Sequence, residues 1–92
     1  MAGAEALDAR ALEISALAFH GYKWLMAGFG IGGLYVAPTA LDQIRPVFLG
    51  AHSLASPMQL PAGTHALHAS AQRYTLGGTN VLGAIALRAS LS

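Results

Sequence analysis

HGYKWLMAGFGIGGLYV, residues 20–36, is the stretch around which the chain reads as organised. It holds the only lysine of the sequence, Lys23, between Tyr22 and Trp24. A ladder of glycines follows at Gly28, Gly30, Gly32 and Gly33. Glycine tolerates positive φ and lets a backbone approach another group closely. Leu34-Tyr35-Val36 then reads as a buried strand, because aromatic and β-branched side chains suit a pleated, packed surface. One amine therefore stands beside a permissive backbone, a setting that suits a reactive lysine.

The chain has 92 residues, enough for at most one small domain. Its composition is that of a larger body. Hydrophobic residues make up 54% and charged residues 10%, against about 25% charged in an ordinary soluble domain. A small domain has proportionally more surface, so this chain expects much of its surface to be covered. The net charge is +1, and Arg10, Lys23, Arg45, Arg73 and Arg88 are scattered. That pattern excludes the clustered basic face a nucleic acid would need. Without cysteine there is no disulfide framework, thiolate metal site or cysteine nucleophile. MAGAEALDAR has acidic residues and no apolar core, unlike a signal peptide. Trp24 to Leu41 is free of charge and of about bilayer-spanning length. Its four glycines and Pro38 disfavour a helix, so a buried core segment is the better reading.

Taken in order, EALDARALE (5–13) reads as a short helical turn or two on a surface. ISALAF (14–19) reads as a buried strand broken at Gly21, with a single turn over 22–26 carrying Lys23. A second strand spans 34–37, antiparallel to the first. Thr39 caps a predicted short helix, TALDQIR, which Pro46 stops. Residues 47–72 read as an irregular loop, 73–76 as extended, and Gly77-Gly78 as a hinge. Thr79 or Asn80 then caps a final helix, VLGAIALRASLS.

Lys23 is the first candidate for chemistry. Its aromatic neighbours predict partial desolvation, which favours the free amine that Schiff-base formation requires. The bland alternative is a lysine that snorkels to the surface. GFGIGG formally matches G-x-G-x-x-G through Gly28, Gly30 and Gly33, but these glycines precede a strand and no acidic residue follows at ribose distance. The dinucleotide reading is rejected. His20, His52, His65 and His68 have no ligand partners at metal-site spacing. RYTLGGTN (73–80) offers backbone N–H groups and a hydroxyl to an anion, although an ordinary helix cap is the simpler account.

GYKWLMAGFGIGGLYV resembles the lysine segment of the class V aminotransferases, pyridoxal-phosphate (PLP) enzymes that include cysteine desulfurases, isopenicillin N epimerase-like proteins and kynureninase. LDQIRPVFLGAHS looks like the family's short helix, proline and glycine turn. RYTLGGTNVLGAIALRASL is similar to its "R-[YF]-E-x-G-T-x-N" segment and following helix. The resemblance covers nearly all of the chain, in the right order.

The resemblance implies an α/β chain, with residues 1–92 forming part of the large domain of a fold-type-I PLP enzyme, a three-layer α/β/α sandwich when complete. It implies that Lys23 binds PLP as a Schiff base and that Tyr22 contacts the phosphate. His20 falls where desulfurases carry a phosphate-binding serine. Gly78 stands where the family often has a threonine reaching a phosphate across the dimer, and Thr79 is placed to substitute. Ser15 and Thr75 replace a usual aspartate and glutamate. The family's ring-nitrogen aspartate, ring-stacking residue and phosphate loop are expected before Met1, and its substrate-binding arginine after Ser92. The implied protein is a cytoplasmic homodimer acting on an amino acid as transferase or lyase, with the isolated chain inert. The rival expectation is a small membrane-associated or structural protein without cofactor.

Overall fold

The computed structural model describes residues 2–56 and 66–92. The chain divides into two compact units, residues 1–37 with 79–92, and residues 38–78. Sheet and helix both occur, as expected of an α/β chain.

In the first unit, strand β1 (Ala16–His20) pairs antiparallel with β2 (Gly32–Val36). The antiparallel pairing is the expected one, but both strands are shifted by about two residues from the sequence reading. Ile14 is drawn into the preceding turn, where its N–H donates to the Ala9 carbonyl at 2.9 Å. At the other end, Gly32 and Gly33 pair with His20 and Phe19 and so join the ladder. The Phe19 ring lies over Gly33 and leaves no space there for a Cβ. A glycine in a strand lacks a side chain to pack, and the aromatic ring opposite fills that gap.

Helix α1 (Val81–Ser90) completes this unit. Asn80 is its N-cap, with the side-chain oxygen accepting from the Gly83 N–H at 3.0 Å. The buried apolar residues of the unit are Leu25, Ala27 and Val36. The helical turn or two expected over 5–13 is seen as turns over 9–13, with the Leu12 N–H donating to the Asp8 carbonyl at 3.1 Å. Asp8 Oδ1 accepts from the N–H groups of Arg10 and Ala11. Glu13, at φ 52°, then ends the segment in a left-handed conformation.

The second unit is built from 3-10 turns at Pro38–Ala40, Ala51–Ser53 and Ala71–Tyr74, with an isolated antiparallel bridge between Leu54 and Leu67. Ala40, Ser53 and Leu54 are its buried residues. The predicted helix over 39–45 is absent. The Leu41 carbonyl, which a helix would offer to the Arg45 N–H, accepts instead from Arg73 Nη1 at 3.1 Å, and Tyr74 Oη ties down the segment's end by donating to Ile44 O at 2.8 Å. The segment expected as extended over 73–76 begins instead inside the third 3-10 turn. Ser70 caps that turn, accepting from the Gln72 N–H at 3.2 Å.

Candidate functional site

Lys23 sits on the loop between the two strands, and that loop is held at its base. The Gly21 N–H donates to the Ile31 carbonyl and the Ala27 N–H to the Gly21 carbonyl, both at 2.8 Å. Gly21, Leu25 and Ala27 are buried, whereas Tyr22, Lys23, Trp24 and Met26 are exposed. Within the loop, the Met26 N–H closes a turn onto the Lys23 carbonyl at 2.9 Å. Buried anchors thus alternate with exposed side chains, and the lysine is pushed outward on a closed base. Gly21 is required here by close approach: an added Cβ would come within 2.7 Å of Ile31 Cγ2.

Aromatic rings gather beside the amine. Lys23 Nζ lies 5.8 Å from the centroid of the Tyr22 ring, within cation–π range. Tyr22 and Phe29 stack at 5.4 Å with planes 27° apart. His20, at the end of β1, meets Tyr22 at 5.3 Å with planes 46° apart. His20, Tyr22 and Lys23, three of the sequence-predicted residues, are therefore brought together.

One expectation changes. Lys23 is exposed and Trp24 is 58% exposed, so the described residues leave the amine open to solvent. Thr79 lines a cleft with Ile31, Gly32, Ala84 and Leu87. A Cβ on Gly78 would meet nothing within 4 Å. The capping role of Asn80 realises the simpler account of the RYTLGGTN segment.

Two residues that the sequence reading did not place in the site belong beside it. Phe29 is held between Gly28 and Gly30, at φ 78° and 77°, and its ring is 86% exposed while stacked on Tyr22. Asn80 donates its side-chain N–H to the Gly30 carbonyl at 3.3 Å. The signal for Phe29 was an aromatic residue framed by glycines. For Asn80 no local signal specifies a contact 50 residues away.

The donor set fits a phosphate-bearing aldehyde. A reachable primary amine is the nucleophile such a group requires. The Tyr22 ring stands beside it and the His20 ring beside Tyr22, and neither the Tyr22 hydroxyl nor the His20 imidazole is hydrogen-bonded to a side chain or carbonyl among the described residues. Both are suited to donate to phosphate oxygens. No group of three or more His, Asp or Glu able to hold a metal occurs among the described residues; His65 lies outside them. No helix of the described residues is long and apolar enough to cross a membrane.

No curated protein and no solved structure gives a significant match to the chain. The family model described as aminotransferase class V matches residues 1–92. That match spans the whole chain, the lysine loop and the strand pair included, and the chain belongs to the class V aminotransferase family.

Proposed function

We propose that Lys23 is the residue to which PLP attaches in an enzyme acting on an amino acid. The family itself is PLP-dependent and aminotransferase-like. The observation that carries the finer reading is the placement of Lys23, the only lysine of the chain, on an anchored loop with its amine over the Tyr22 ring.

In this reading Lys23 would hold the cofactor through its Nζ, and Tyr22 and His20 would hold its phosphate by charge-assisted hydrogen bonds. Thr79 and the Gly78 backbone meet the phosphate of a second copy in a homodimer. Once bound, PLP supplies the electron sink for carbanion chemistry at the substrate Cα. The chain's own residues bind and orient, and water is excluded by further protein packed over the loop. Exposed Trp24, Met26 and Phe29 support that covering, since a large apolar patch marks a surface that expects a partner. Membership of the family supports reading the chain as part of a fold-type-I large domain and the protein as cytoplasmic.

The test is reduction with borohydride after incubation with stoichiometric PLP, followed by peptide mapping. The pyridoxyl group is expected on Lys23. Labelling confined to the α-amino group would sink the assignment, as would labelling at Lys23 no faster than that of free lysine.

A further inference from the structure

Asn80 spends both ends of its side chain. Its oxygen accepts from the Gly83 N–H at 3.0 Å, capping α1, and its nitrogen donates to the Gly30 carbonyl at 3.3 Å. Gly30 is the second of the two positive-φ glycines that frame Phe29. Phe29 is itself 86% exposed, so burial does not hold its ring against Tyr22. The backbone of the Gly28–Gly30 turn must do so, and Asn80 fixes the carbonyl at its end.

The packing around Asn80 is close enough to make the clasp specific. A Cβ on Gly83 would come within 2.7 Å of Asn80 Nδ2 and 2.8 Å of Ile31 Cβ. A Cβ on Gly30 would stand 3.5 Å from the same nitrogen. The amide therefore fits against the start of α1 only because residue 83 is glycine, while the turn leaves it ordinary van der Waals room.

We propose that Asn80 is a positioning residue for the lysine site. By clasping the Gly30 carbonyl it keeps Phe29 stacked on Tyr22, and so fixes the ring over which the Lys23 amine rests. The consequence for Lys23 rests on the PLP reading given above; the clasp itself does not.

The experiment uses the full 92-residue chain and the variants Asn80→Asp and Asn80→Ala. Aspartate keeps an acceptor for the Gly83 N–H and suits a helix N-terminus, but lacks the amide donor. Alanine removes both hydrogen bonds. Three readouts are taken: helix content by far-ultraviolet circular dichroism, the Tyr22–Phe29 ring-to-ring nuclear Overhauser effect, and borohydride-trapped PLP on Lys23. In Asn80→Asp the helix signal is expected to stay while the Overhauser effect weakens, as the ratio of stacked to unstacked ring falls about two- to tenfold, the equivalent of one neutral hydrogen bond. Pyridoxylation of Lys23 should fall with it. An unchanged Overhauser effect in Asn80→Asp overturns the proposal, whatever Asn80→Ala does. If Asn80→Ala alone abolishes it, together with the helix signal, Asn80 is a cap and nothing more. If the unsubstituted chain takes no label at Lys23, the PLP reading fails, and the Overhauser effect still decides the clasp.

Discussion

The Ser53 hydroxyl donates to the Thr75 carbonyl at 2.8 Å and accepts from the Gly50 N–H at 3.1 Å. Ser53 is fully buried, so both backbone groups depend on a hydroxyl that water does not replace. Removing one partner of a buried hydrogen bond costs about 1–3 kcal/mol, because the other is left unsatisfied. Ser53→Ala should therefore lower the unfolding free energy, read from a urea titration, by that amount. A value unchanged within error would mean that water reaches these groups.

Gly50 is fixed by close approach rather than by backbone conformation. Its φ of −131° suits any residue, but a Cβ there would run into the Leu76 carbonyl oxygen. That oxygen belongs to backbone and cannot rotate away. Gly50→Ala should destabilise by about 1–3 kcal/mol, the range of overpacked substitutions. The same urea titration checks it, and a neutral result would show that the 76–77 backbone yields freely.

Asp8 gives the chain an acid-sensitive turn. The Ala11 N–H, then the Arg10 N–H, hold its carboxyl below its ordinary value of 3.8, and the Arg10 charge adds to this. A depressed carboxylate stabilises the fold above its unfolded pKa, and the contribution is lost as pH falls through the folded value. The turn should stay closed down to about pH 4 and open below that. Amide chemical shifts of Arg10 and Ala11, followed through an acid titration, should show a midpoint below 3.8. A midpoint at or above that value would contradict the two hydrogen bonds.

How much of this was legible in the sequence depends on how local the deciding forces are. The strand pair was legible, because the Gly21 break and the Leu34-Tyr35-Val36 run are local signals. So was a cap at Thr79 or Asn80, both good N-cap residues, of which the structure uses Asn80. Residues 39–45 were misread because local propensity favours a helix there. The winning bonds come from Tyr74 and Arg73, which no window around Leu41 contains. The candidate site divides the same way. Lys23 was marked by its aromatic neighbours, and Tyr22 and His20 by the resemblance to the family's lysine segment. Phe29 depends on the conformation of its flanking glycines, and the exposure of Lys23 on which neighbours are buried, neither of which residue type fixes.

The aromatic neighbour of Lys23 provides the sharpest test of the site. Tyr22 offers a hydroxyl as well as the ring on which Phe29 stacks, and Tyr22→Phe removes only the hydroxyl. The stack and the cation–π interaction at Lys23 survive, so the loop keeps its shape. A hydrogen bond to a charged phosphate contributes about 1.5–3 kcal/mol, which corresponds to about ten- to a hundredfold in Kd for PLP. Lys23→Ala should act differently, abolishing covalent attachment while leaving part of the noncovalent affinity. Equilibrium dialysis with PLP, alongside borohydride trapping, separates the two effects. Tyr22→Phe should bind more weakly yet still trap at Lys23, whereas Lys23→Ala should bind without trapping at this loop. Equal affinity for Tyr22→Phe and the unsubstituted chain would remove Tyr22 from the phosphate site and leave it only as the ring beneath the lysine.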